Sequence, residues 1–328
     1  MYMLNFSNLV FFMQEIILHI GHGKTGTSYL QSCLALNKQK LLNIGIDYPE
    51  DSSFSSAKKG EITSGNPSPF FNNYLNIDSL TNKERILFSN EGFYETLLRG
   101  NREFKSFNNI KFFEKYSNKL KVILYARNLF SHFFSIWAQQ VKRSSLIADI
   151  DTFLKDRPVS DCALIIDWLK LSKQFGFKLI IKNYSNHKNN LLNIFLEDLI
   201  EEKNKNINFI LPLNKRVNRS LTFSEYEIQR ICNFLNISNP PLSDLLVNQL
   251  PDIKSMKIKC SMESYNIIKD ANIEIINTIN NKINKNEAIK IESPEQVVYK
   301  ENEFQNPPLT EDQIKIIASY IDKKFLSK

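Results

Sequence analysis

The chain is poor in the residues that mark several common kinds of protein. Its 328 residues hold only 4 cysteines, Cys33, Cys162, Cys232 and Cys260, and no two form a C-x-x-C pair. This argues against a zinc site and a secreted disulfide framework, and suits a reducing cytoplasm. The 4 histidines make no histidine–carboxylate cluster with metal spacing, so no metal is expected. No G-x-S-x-G or Ser-His-Asp pattern occurs. The N-terminal stretch MYMLNFSNLVFFMQEIILHI is apolar but carries Gln14 and Glu15, lacks basic leading residues and lacks a small-residue cleavage site. It reads as neither a transmembrane segment nor a signal peptide, and peripheral membrane contact stays open. Residues 1–13 read as an N-terminal extension. Lysine–arginine blocks and aromatic–basic repeats are missing too, which speaks against nucleic acid as a partner. The formal charge of +7 suits an acidic ligand or a lysine-rich solvated surface.

Glycine is also scarce, 9 in all, yet three of them crowd into EIILHIGHGKTGTSYLQ, Glu15–Gln31. The segment reads as an apolar strand, a turn with Gly21, Gly23 and Gly26, then a helix. That order builds an anion site, because turn and helix N–H groups converge where the helix dipole is positive. Lys24 adds a full charge, and Thr25, Thr27 and Ser28 add donors. Gly21 and Gly26 have the Walker A spacing, but Thr27 stands where that motif needs lysine. Gly21, Gly23 and Gly26 also satisfy G-x-G-x-x-G, with Asp47 at about the distance of a ribose ligand. A lysine–threonine pair inside the turn is unusual for a loop that meets a pyrophosphate by backbone alone.

GHGKTGTSYLQ resembles the 5′-phosphosulfate loop of sulfotransferases, close to G-x-P-K-T-G-T-T-x-L-Q, with Gly23 for the proline and Ser28 for the second threonine. The resemblance implies an α/β fold related to nucleotide kinases. It also implies 3′-phosphoadenosine-5′-phosphosulfate as donor, adenosine 3′,5′-bisphosphate as product, and no metal. A second stretch, LYARNLFSHFFS, is similar to the family's 3′-phosphate motif R-[DN]-P-x-x-x-x-x-S, with Leu129 for the proline. It implies Arg127 and Ser135 as ligands of the 3′-phosphate, with Ser131 a lesser candidate, since arginine's planar fork matches a phosphate. SNEG places Glu91 where bacterial carbohydrate members carry a general base. RVNRSLT resembles a late N-x-S-L-[ST] segment, implying Asn218 and Ser220 near the donor or in a turn before the next helix. His22, inside the loop, is a candidate for the sulfuryl group or acceptor, and also reads as a solvent-facing loop residue. His132, on an aromatic-rich helix, reads as structural. The acceptor implied is a hydroxyl or amine of a carbohydrate or glycolipid. A kinase, an NAD-dependent oxidoreductase and a noncatalytic binding protein are the alternatives.

Along the chain, strands are expected at Glu15–Ile20, Arg85–Ser89, Lys121–Ala126 and in FKLIIKNYS, ending near Tyr184. Helices are expected at TSYLQSCLALNKQKLL, from about Glu91, at LFSHFFSIWAQQVKR, at SDCALIIDWLKLSKQF and at NNLLNIFLEDLIEE. This alternation predicts an α/β fold with a mostly parallel sheet flanked by helices over 14–220. Residues 50–82 read as a long loop or a mobile segment, the kind that often covers a substrate. From 221 to 328 the pattern becomes helical, with Ser224–Glu227 as one capping box and Thr310–Gln313 as another, and 278–305 polar and loop-like.

Overall fold

The computed structural model describes residues 15–61, 65–66, 77, 82–95, 109–200, 208–212, 219–254, 257–300 and 308–326. The expected N-terminal extension, 1–13, and Asn218 lie outside the described residues. The fold is α/β. Strands β1 (Glu15–Gly21), β2 (Ile46–Asp47), β3 (Arg85–Ser89), β4 (Leu120–Ala126) and β5 (Lys178–Asn183) form one parallel sheet in the order β2-β3-β1-β4-β5. The helices are α1 (Thr27–Leu36), α2 (Lys38–Asn43), α3 (Phe54–Lys58), α4 (Asn109–Tyr116), α5 (Leu129–Arg143), α6 (Ile150–Asp156) and α7 (Ala163–Phe175). They continue as α8 (Tyr184–His187), α9 (Leu191–Leu199), α10 (Phe223–Phe234), α11 (Leu242–Gln249), α12 (Met262–Asn280), α13 (Pro294–Val297) and α14 (Glu311–Leu326).

The chain divides into two compact units. The first comprises Met1–Ala126, Cys162–Val217 and Lys282–Glu287, and holds the whole sheet. The second comprises Arg127–Asp161, Asn218–Asn281 and Ala288–Lys328, and among the described residues its regular elements are helices. No described helix is long and apolar enough to cross a membrane.

In the first unit the central strands are mostly apolar, as expected where helices cover both faces of a parallel sheet; Ile16, Ile17, Leu18, Ile20, Val122, Ile123 and Leu124 are fully buried. Ile17, Leu87 and Ile123 meet Leu30 and Leu34 of α1 and Phe195 and Leu199 of α9 in one cluster. Each such leucine contributes about 2 kcal/mol of transfer free energy. The long helix expected after the loop is instead two, α1 and α2, broken at Asn37. Asn37 is buried, and its amide exchanges hydrogen bonds with the Ile210 backbone, 2.7 Å and 2.8 Å, which a continuous helix would not orient.

In the second unit α5 spans the expected LFSHFFSIWAQQVKR. The box opening α10 is not Ser224 with Glu227 but Thr222 with Glu225. Both pairs fit the pattern, and tertiary structure decides between them. Arg219 forks onto the Glu225 carboxylate at 2.8 Å on each side, while Glu227 pairs with Arg230 within the helix. Thr310 and Gln313 bond reciprocally as expected, at 2.8 Å and 3.3 Å. The stretch 278–305 carries more structure than a loop: α12 runs to Asn280, and α13 and a short 3-10 turn, Lys285–Glu287, lie within it.

Candidate functional site

The loop from Gly21 to Ser28 sits past the carboxyl end of β1, where parallel sheets take ligands. Its backbone is tightly specified. The His22 N–H donates to the Tyr125 carbonyl of β4 at 3.0 Å, and the Thr25 hydroxyl donates to the His22 carbonyl at 2.8 Å. Lys24 has φ 72°, a left-handed conformation rare outside glycine, and Gly26 follows with φ 76°. A Cβ on Gly26 would lie 2.5 Å from Leu191 Cδ2 and 3.1 Å from the Tyr184 ring. A Cβ on Gly21 would meet Thr25 Oγ1 at 2.7 Å and the Tyr125 carbonyl at 2.9 Å. At Gly23 it would meet nothing within 4 Å, so this glycine is not needed for packing.

The donors are distributed unevenly. Gly26 is the N-cap of α1, with no side-chain cap and no acidic residue in the first turn, so the N–H groups that open α1 have no acceptor inside the helix. The first intrahelical bond is Leu30 N–H to the Gly26 carbonyl. Of the hydroxyls expected to serve an anion, that of Thr25 is spent on His22. That of Thr27 is buried, with no hydrogen-bond partner among the described residues. Ser28 and Lys24 are half-buried. The threonine hydroxyls are therefore turned into the protein, and the backbone N–H groups opening α1 are the donors without an intrahelical acceptor. The final residues of GHGKTGTSYLQ are structural: Leu30 is fully buried, and Gln31 donates to the Ser89 carbonyl at 3.2 Å, tying α1 to the end of β3.

Glu91 lies at that end. His19 pairs with Ser89 at the end of the β1–β3 ladder, and Asn90 N–H donates to the His19 carbonyl at 3.0 Å, so Glu91 follows one residue after the last contact with β1. Glu91 is half-buried in a turn in which Asn90 Oδ1 accepts from Gly92 N–H at 2.7 Å; the helical residues follow at 93–95 and do not begin at Glu91. Part of the expected 50–82 loop docks beside it. Gly65 bridges Asn90 with φ 102°, where a Cβ would be 1.8 Å from the Ser89 carbonyl, and the Asn66 side chain accepts from Ser89 N–H at 2.8 Å.

His22 does not face solvent. It is fully buried, its Nε2 lies 2.9 Å from the Tyr94 hydroxyl, and the two rings meet edge to face at 5.0 Å. On the other flank of the loop a cavity of about 480 Å³ is lined by Gly26, Tyr29, Tyr184, Lys188 and Asn190. Burial pushes the Tyr29 phenol up to about 12, with the Cys33 thiol as a further cause. Tyr29 and Tyr184 are cavity residues that sequence reasoning left out of the site; Tyr29 stands inside the loop motif, while Tyr184 reads only as a strand end.

The remaining candidates belong to the second unit. Arg127 directly follows the last residue of β4 and is half-buried, as is Ser135 two turns into α5. The N-terminus of α5 already holds an anion: Glu292 accepts from Phe130 N–H and Ser131 N–H, each at 2.9 Å. The backbone N–H of Ser131 is thereby occupied by a protein carboxylate and is removed as a donor. Ser220 is exposed in the turn before α10, beside buried Arg219. His132 is buried in α5 and lies 2.7 Å from Asp161.

No model of a known protein family matches this sequence, and no curated protein sequence matches it.

Proposed function

We propose that the protein is a sulfotransferase that moves a sulfuryl group from 3′-phosphoadenosine-5′-phosphosulfate to a hydroxyl or amine of a carbohydrate or glycoconjugate. The observation that carries this reading is the loop itself: a lysine held in a left-handed turn between two glycines packed too closely for a side chain, just before the uncapped start of α1, with a carboxylate two residues past the end of the adjacent strand.

In this reading the N–H groups of the loop and of the start of α1 hold the 5′-phosphate, and the base occupies the cavity beside Tyr29 and Tyr184. Arg127 and Ser135 take the 3′-phosphate, an assignment that rests on their spacing in the sequence. Sulfuryl transfer passes through a loose in-line transition state, so positioning and charge stabilisation dominate. Glu91 accepts the proton of the acceptor hydroxyl as its oxygen bonds to sulfur. The bond from sulfur to the bridging oxygen breaks, and Lys24 neutralises the charge that develops on that oxygen as the bisphosphate departs.

Two features weigh against the alternatives. A dinucleotide enzyme needs its ribose carboxylate beside the glycine loop, whereas Asp47 ends β2, which β3 separates from β1. A Walker A kinase needs a lysine where Thr27 stands, and that side chain is 3% exposed and turned inward.

The test is transfer of labelled sulfate from the donor to a panel of glycans. Wild type should label at least one class, while Glu91→Gln and Lys24→Ala each fall by about a hundredfold or more, as for loss of a group acting in the transition state. Label transfer at the wild-type rate in both variants would remove these residues from the chemistry.

A further inference from the structure

The loop carrying Lys24 and the segment carrying Glu91 are far apart in sequence, and one buried pair joins them. Tyr94, 4% exposed, places its hydroxyl 2.9 Å from His22 Nε2. Each partner is fixed by other groups. Residue 22 is anchored through its N–H to Tyr125 and through its carbonyl to Thr25. Tyr94 is held by its N–H to the Glu91 carbonyl, 3.1 Å, and by its own carbonyl, which accepts from Trp168 Nε1 at 3.0 Å. Trp168 is fully buried, so the tyrosine hangs from a rigid part of the core. The two residues beyond His22 lead to Lys24 in its left-handed turn, and the turn that Tyr94 closes contains Glu91.

From this arrangement we propose that Tyr94 is a positioning residue. Through His22 it sets the distance between the proton-accepting carboxylate of Glu91 and the charge-neutralising ammonium of Lys24. His22 accordingly supports the loop and is not itself a ligand of the sulfuryl group. The inference rests on the sulfotransferase reading. It follows physically because the backbone segments that carry the two residues are joined by one short network, and transfer rates are sensitive to ångström-scale separation.

Tyr94→Phe keeps the ring and its edge-to-face packing and removes only the hydroxyl. The expected result is a fall in kcat of about tenfold, the rate equivalent of one hydrogen bond, with affinity for adenosine 3′,5′-bisphosphate unchanged within about twofold. His22→Gln retains a side-chain amide able to meet the tyrosine and should keep more activity than His22→Ala. Combining Tyr94→Phe with His22→Ala should cost little beyond His22→Ala alone, because both break the same link. A purely structural role would instead lower the melting temperature and leave kcat intact well below it. Wild-type kcat in Tyr94→Phe, or full additivity in the double variant, would overturn the proposal. If the wild type labels no acceptor, the sulfotransferase reading itself fails; if Lys24→Ala and Glu91→Gln are impaired and Tyr94→Phe is not, the positioning role alone is wrong.

Discussion

Lys24 adopts φ 72°, a conformation that costs a non-glycine residue about 1–2 kcal/mol. The loop retains it because its neighbours leave no alternative, and strain of that kind concentrates where a side chain must be aimed. Gly26 is the sharper test of loop integrity. Gly26→Ala adds a Cβ 2.5 Å from Leu191 Cδ2 at a left-handed φ, so urea unfolding should show a loss of about 2 kcal/mol or more, with bisphosphate binding abolished. Binding at wild-type strength would show that the loop conformation is not what holds the ligand. His19, buried beneath this loop, gives a pH prediction. Burial lowers it from 6.5 to about 3, and its Nδ1 contacts Ser89 Oγ at 2.8 Å. Between those two pH values the unfolded chain binds the extra proton, so stability is fully present above 6.5 and declines as pH falls toward 3. The slope is about 1.4 kcal/mol per pH unit for this one group. His19→Gln should flatten unfolding free energy between pH 6.5 and 5; an unchanged slope would mean the imidazole charges in the folded protein. The positions of Lys24, Gly26 and Glu91 are readable from the motif. The His22–Tyr94 contact is not, because it joins residues 72 apart and depends on strand order.

Four of the five strands and α5 are legible as elements because a buried parallel strand is a largely apolar run, and α5 has a clear polar and apolar face; the two-residue β2 is too short to leave such a pattern. Breaks and caps are less so. Nothing local separates TFSE from SEYE as the start of α10; the choice is made by Arg219, which forks onto Glu225, while Glu227 pairs with Arg230. That pair carries an element-level prediction. Burial would raise the Glu225 pKa, but the bonds from Arg219, Gln313 and the Thr222 N–H outweigh it and hold the carboxyl below its usual range. Its contribution is therefore present above about pH 4.5 and lost as pH falls through the lowered folded-state value. Arg219→Met should cost about 3–5 kcal/mol by leaving a buried carboxylate unpaired, against about 1 kcal/mol for Thr222→Ala, which removes only the cap. Equal losses in denaturant unfolding would show that the ion pair does not organise this corner.

For the whole molecule, alternation of strands and helices announces a parallel α/β sheet, and that is the fold observed. Strand order is another matter: local pattern does not say that β3 inserts between β1 and β2, although this insertion is what separates Asp47 from the glycine loop. The excursion of Arg127–Asp161 into the second unit is equally invisible, since α5 follows β4 without a linker. The change to helices near 221 marks composition and not a simple boundary, because Lys282–Glu287 rejoins the first unit. There Glu287 accepts from Asn183 N–H at 2.8 Å and pairs with His187 at 2.9 Å. The central claim is that the loop is one half of a grip on a nucleotide carrying both 5′ and 3′ phosphates. It is tested most directly by calorimetric titration of adenosine 3′,5′-bisphosphate, ATP and NAD into the wild type and Arg127→Ala. Saturable binding of the bisphosphate, well above either other nucleotide and weakened at least about tenfold in the variant, is the predicted result. Heat of binding from NAD or ATP with none from the bisphosphate would contradict the account.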